Sequence, residues 1–128
     1  MIKDATLNNI CNFVRNLQQL CGDIQFALAF ANTVGDENSS LTLVIAAHWI
    51  EEKGREESLK LITETMQDTL GDNANSIIDH ISLVGMDDPD IKIFAPFYVE
   101  AGGRVAFNGG MLNGKRIEGA YLFANKVS

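Results

Sequence analysis

Twice between residues 23 and 50 the apolar side chains recur at every second position, with turn-forming residues in between. Ile24, Phe26, Leu28 and Phe30 alternate with Gln25, Ala27, Ala29 and Ala31. Leu41, Leu43, Ile45, Ala47 and Trp49 then alternate with Thr42, Val44, Ala46 and His48. A period of two belongs to an extended strand whose side chains point to opposite sides of a sheet. The intervening Gly35-Asp36-Glu37-Asn38-Ser39-Ser40 has the composition of a turn. Residues 23–33 and 41–50 are therefore expected to form a hairpin with one bulky face and one alanine-lined face. Small side chains let a helix approach closely.

A helix is expected on each side of this pair. In residues 4–21, Leu7, Ile10, Val14, Leu17 and Cys21 follow the three–four spacing of a buried helical stripe, widened by Phe13 and Leu20. Asp4 or Thr6 suits the start, and Gly22 suits the left-handed position after the end. The opposite face (Asn8, Asn9, Asn12, Arg15, Asn16, Gln18, Gln19) is polar yet nearly uncharged. Residues 55–70 carry a second stripe, Leu59, Ile62, Met66 and Leu70, ended by Gly71. Residues 76–86 suit either a short helix or a strand, with strand favoured from about Ile78.

The remainder reads as β structure. Ile91, Ile93, Ala95, Phe97 and Val99 alternate with Lys92, Phe94, Pro96, Tyr98 and Glu100. Pro96 lacks a donor and marks an edge, a bulge or a break. Residues 104–112 and 115–126 flank Asn113-Gly114, a strong hairpin signal, and Asn108-Gly109-Gly110 suits a bulge or bend. The expected order is α-β-β-α-β-β-β-β, an α+β fold with two helices on a curved antiparallel sheet. In element order this is similar to roadblock/profilin-like domains and to the acidic chaperones of type III secretion. Those families usually end in a helix, whereas this chain ends in a strand and carries none of their motifs.

Composition narrows function more than it identifies it. With 128 residues, one globular domain spanning 1–128 is expected, large enough to hold together without disulfide or metal. No apolar run approaches the roughly 18 residues of a membrane span, and the N-terminal sequence lacks a signal-peptide pattern, so a cytoplasmic location is expected. On one straight helix Cys11 and Cys21 stand about 15 Å apart. A disulfide needs its Cα atoms within about 7 Å, so they do not pair with each other. No CxxC or Cys/His cluster suggests zinc, and no cofactor is expected.

Charge is the functional clue. Residues 51–90 hold eleven acids against three bases, and residues 91–128 hold five bases against two acids. An acidic surface attracts basic partners and repels nucleic-acid phosphate. Glu57, Glu64 and Asp68 share one side of the second helix, away from Leu59, Ile62 and Met66. Asp87, Asp88 and Asp90 miss the spacing of a calcium loop. The C-terminal glycines make no phosphate loop. His48 and His80 have no nucleophile at a telling spacing, and on a strand Asp79 and His80 point apart.

The chain therefore reads as a non-enzymatic, acidic protein-binding domain of adaptor, chaperone-like or inhibitor/immunity-like type. Glu56, Glu57, Glu64, Asp68, Asp87 and Asp88 are the residues expected to engage a basic protein. A homodimer is expected, with no direct nucleic-acid or membrane contact. Six of the ten aromatics lie in the C-terminal meander, where they could form core, a pocket or a flat self-association patch. Arg104, Lys115 and Arg116 give that region a basic tip. The alternative is a small-ligand or enzymatic domain with a pocket between the C-terminal sheet and a helix, its polar groups being His48, His80, Tyr98 and Tyr121. A third reading is a structural subunit assembling through a sheet edge, at the Pro96 strand or the terminal strand.

Overall fold

The apolar stripe of residues 4–21 does fold as one helix, α1 (Asp4–Cys21), with Leu7, Ile10, Cys11, Phe13, Val14 and Leu17 buried. It stops at Gly22, whose N–H donates to the Gln18 carbonyl at 2.9 Å. The glycine is at φ 121°, and a Cβ there would sit 3.3 Å from Trp49 Cδ1. Both the turn and the close ring contact therefore favour the missing side chain. The computed structural model describes residues 4–31, 40–94, 96–107, 111–112, 115–116 and 120–126.

After α1 come β1 (Phe26–Ala31), β2 (Leu41–Ala46), α2 (His48–Lys53), α3 (Arg55–Leu70), a 3-10 turn (Gly71–Asn73), α4 (Ala74–Ile77) and β3 (Ile78–Leu83). The chain continues through α5 (Pro89–Ile93), β4 (Val105–Phe107), β5 (Met111–Leu112), β6 (Lys115–Arg116) and β7 (Ala120–Asn125). The fold is α+β. Its main sheet has the order β3-β2-β1-β7-β4, and β5 and β6 pair separately. All pairs are antiparallel except β2–β3, so the sheet is mixed rather than antiparallel. The helices between β2 and β3 carry the chain back to the starting end, and that crossover makes a parallel neighbour possible.

The hairpin of β1 and β2 forms, but its faces are not those expected. Ala27 and Ala29 lie opposite Ile45 and Leu43, while Phe26 and Leu28 lie opposite Ala46 and Val44. Small residues of one strand thus sit beside large ones of the other, and each face is level. The alternation within each strand was legible, but the pairing register that decides this was not.

Two apolar layers result. On one face Ala27, Ala29, Leu43, Ile45 and Phe123 pack with Ile10, Phe13, Val14 and Leu17 of α1 and Ile62 and Met66 of α3. Fully burying each such Phe, Leu or Ile contributes about 1.5–3 kcal/mol. The other face packs Phe26, Leu28 and Leu122 with Ile91, Phe94 and Val99. A register shift in β7 feeds the helix side. Ala27 pairs with Ala124 and Leu28 with Leu122, so Phe123 is extra, and both Phe123 and Ala124 reach the helix layer.

Four expected strands are corrected. Residues 48–50 begin α2 instead of ending β2. Ala47 is extended at φ −159° and ψ 149°. The Gln25 side-chain oxygen accepts from the His48 N–H at 3.0 Å, supplying a cap from a distant part of the chain. Residues 91–99 are not a strand. Pro89 opens α5, where its missing N–H costs nothing. Successive i→i+3 bonds then wind the chain from Asp88 through Phe97. Pro96 accordingly lies in no strand, and β7 lies between β1 and β4 rather than at an edge. Among the described residues of 104–126 the strands are β4, β5, β6 and β7. Leu112 pairs with Lys115, as a hairpin requires. The glycine turns at 108–110 and 113–114 lie outside the described residues.

One buried polar side chain fixes the second layer. Asn125 is 1% exposed. Its Nδ2 donates to the Phe94 carbonyl at 2.6 Å and the Phe97 carbonyl at 2.7 Å. Its backbone exchanges hydrogen bonds with Val99 in both directions, at 3.1 and 2.8 Å. Asn125→Leu removes both bonds: the Phe97 carbonyl loses the Asn125 donor, while the Phe94 carbonyl keeps the Phe97 N–H, so unfolding free energy should fall by about 1–3 kcal/mol. Urea titration followed by Trp49 fluorescence measures this. An unchanged midpoint would mean that apolar packing alone holds residues 94–99.

Candidate functional site

Helix α3 presents the acidic surface. Ser58, Ile62, Thr65 and Met66 are its buried side. Glu56, Glu57, Glu64 and Asp68 are all exposed. Thr65 returns its hydroxyl to the Leu61 carbonyl at 2.8 Å, whereas the buried Ser58 hydroxyl has no partner among the described residues. Lys60 lies within helical reach of Glu56, Glu57 and Glu64, yet among the described residues none of the four carboxylates is in an ion pair. Their charge is directed at solvent.

Asp87 and Asp88 do not join that face. Their segment packs through Val84 and Met86 against the other side of the sheet. Asp88 is half-buried just before Pro89, at the start of α5, where an acid opposes the positive helix end. Asp87 is exposed, with Oδ1 only 2.9 Å from where a Gly85 Cβ would lie. The six acidic candidates thus form two groups on opposite faces.

Of the bases expected at the C-terminal tip, Arg104 is spent on bonds within the chain. Arg104 is held at the surface by its own chain: its guanidinium donates to Asn8 Oδ1 at 2.7 Å and lies 3.7 Å from Asp4 Oδ1. The side chains of Lys115 and Arg116 lie outside the described residues. The uncharged polar face of α1 is largely spent on internal bonds. Asn16 donates to Thr69 of α3 at 3.3 Å, Gln18 accepts from the Ile24 N–H at 3.2 Å, and Asn12 accepts from Arg15 at 2.7 Å. Lys53, Arg55 and Lys60, the three bases of residues 51–90, line a shallow open groove with Gly54, Glu56 and Glu57 at the α2–α3 junction. Gly54 between two helical segments was the sequence signal for it.

The four pocket candidates do not converge. Tyr121 shares the helix-side face with Ala29. His80 pairs with Thr42, which shares the opposite face with Phe30. Tyr98 is 65% exposed and donates to Glu100 at 2.8 Å. That bond raises the Tyr98 pKa, since losing the proton would set two anions together. His48 is exposed at the start of α2. None of the four lines the α2–α3 groove.

The expectation that Asp79 and His80 point apart is overturned. Their Oδ1 and Nδ1 are 2.8 Å apart. The β2–β3 register shifts between Leu41 and Thr42, making Asp79 the extra residue of a bulge and letting it turn toward His80. Both side chains remain exposed. Among the described residues no three His, Cys, Asp or Glu side chains gather to hold a metal.

Comparison with protein-family models, with curated proteins and with solved structures finds no match.

The two cysteines are free. Burial pushes the Cys11 thiol above its ordinary 9.0, with Arg104 acting in the opposite sense. Cys21 is raised by burial too, against Lys53. A raised thiol pKa leaves little thiolate at pH 8, so alkylation of the folded protein should lag that of free cysteine and accelerate as pH passes 9.0. Cys11, buried and donating to the Gly103 carbonyl at 3.5 Å, should react more slowly than Cys21. Iodoacetamide labelling resolved by peptide mass spectrometry checks the order. Fast labelling of Cys11 at pH 8 would show that Arg104 outweighs burial.

Proposed function

We propose that this protein is a non-enzymatic binding domain whose α3 surface engages a basic protein, acting in the cytoplasm. What supports the reading is the set of four exposed carboxylates on α3, none of which is in an ion pair among the described residues. Their net effect is long-range. Exposed charges draw an oppositely charged partner toward one face and raise its association rate, while each final ion pair contributes only about 0.2–1 kcal/mol. A chain at net charge −7 also repels nucleic acid, which favours a protein partner. Among the described residues no helix is long and apolar enough to cross a membrane.

Asp87 and Asp88 take no part in the α3 contact of this proposal, since a partner lying on α3 does not reach the opposite face of the sheet. The pocket reading loses its support with the dispersal of His48, His80, Tyr98 and Tyr121 over both faces and the rim.

The test is a pull-down from native lysate at low and moderate salt, alongside a variant with Glu56, Glu57, Glu64 and Asp68 all changed to Lys. The natural chain should retain a basic protein that is released as salt rises, because screening shortens electrostatic reach to about 8 Å at physiological ionic strength. The variant should retain none while keeping its circular dichroism spectrum. Equal retention by the folded variant would overturn the proposal.

A further inference from the structure

Val84 and Gly103 are each fixed to the body of the fold. The Val84 N–H donates to the Ile45 carbonyl of β2 at 3.1 Å. The Gly103 carbonyl accepts from the Cys11 thiol of α1 at 3.5 Å, and Arg104 beside it is held by Asn8 and Asp4. Just inside these anchors stand two glycines, Gly85 and Gly102, the second at φ 103°. Glycine reaches backbone conformations closed to other residues, which suits a hinge.

Between the glycines, residues 86–94 and 96–100 lie over the sheet face away from α1 and α3. Their backbone bonds are short-range. Ile91 donates to Asp88, Phe94 to Ile91 and Phe97 to Phe94, at 2.9–3.1 Å. Bonds of that kind travel with the segment. Among the described residues, the hydrogen bonds that tie this stretch to the sheet all fall on Asn125. Two leave its side chain for the Phe94 and Phe97 carbonyls, and two are exchanged by its backbone with Val99. The stretch buries Ile91, Phe94 and Val99 against the sheet. Lys92, Ile93, Phe97 and Tyr98 are already exposed. The ladders that join β1 to β2, β1 to β7 and β4 to β7 do not run through it.

We propose that this stretch is a strap that opens as a unit, turning on Gly85 and Gly102 when the Asn125 bonds break, while the sheet and the α1–α3 layer stay folded. Opening uncovers Phe26, Leu28 and Leu122, so that apolar face is gated by the strap. Segments open separately from the whole where few long-range bonds and little buried area hold them. The helix layer is held by two long helices, the strap by three buried side chains and one amide. The strap lies across the sheet from α3, so the inference is independent of the acidic-face reading.

Native-state amide hydrogen exchange, read residue by residue by NMR in low urea, tests this. The amides of Ile91, Phe94, Phe97, Val99 and Asn125 should exchange through one shared opening, at least about tenfold more often than the buried amides of α1 and α3. Ile62→Val weakens the helix layer alone. It should speed exchange in α1 and α3 about two- to tenfold and leave the five amides unchanged. Asn125→Leu should speed the five by about fivefold or more. The proposal is overturned if, in the natural chain, these amides exchange only as slowly as those of α1 and α3, or open at unrelated rates. It is equally overturned if Ile62→Val speeds both groups by one factor, or if a folded Asn125→Leu chain exchanges the five no faster.

Discussion

The second apolar layer depends on the side chain of Asn125. Residues 94–99 contain little regular structure, and a segment without a ladder must find partners for its backbone groups elsewhere. Asn125 supplies two donors to carbonyls three residues apart, and its own backbone pairs with Val99. Phe94 then stands against Phe26 and Phe107. Without that clamp the face of Phe26, Leu28 and Leu122 would have no fixed cover. A sheet with apolar residues on both faces needs two covering layers, and only one of them here is built from long helices.

The helix side is simpler because its geometry is carried by periodicity. The stripes of α1 and α3 were legible in the sequence, as were the β1 and β2 alternations and the strand from Ile78. What was not legible was decided by partners distant in sequence. His48 begins a helix because Gln25 caps it. Residues 91–99 alternate in the sequence like a strand, but Asn125 and the start at Pro89 wind them into turns. Phe123 and Ala124 face the same layer because β7 shifts register against β1. Each is a tertiary override of a local pattern, and none has a signature within a short window.

The acidic surface was legible in its helical part. Counting three- and four-residue steps from Ile62 and Met66 places Glu57, Glu64 and Asp68 outward, and they are exposed. The aspartates at 87 and 88 share the sign of that charge but not its location, because the strand before them sends the chain to the other face. The polar face of α1 shows the converse. Asn8, Asn16 and Gln18 read as surface, yet each ties α1 to another part of the chain. Amides suit this role because they bond without the desolvation cost of a charge. Among the described residues Arg104 and Asp4 are thus paired beside α1, while the four α3 carboxylates are in no ion pair.

The position of β7 has a consequence for how the molecule is made. It is the last strand in chain order, yet it lies inside the sheet between β1 and β4. Phe26 pairs with Asn125, so the neighbour of β1 is synthesised almost a hundred residues after it. While the chain is emerging from the ribosome, helices α1 and α3 and the β1–β2–β3 strands can assemble, but β1 keeps an open edge bearing Phe26 and Leu28. Distant pairings of this kind slow folding and lengthen exposure to aggregation. Residues 120–125 close that edge and bring Asn125 to the 94–99 segment in the same step, so the central strand and the second apolar layer are completed together.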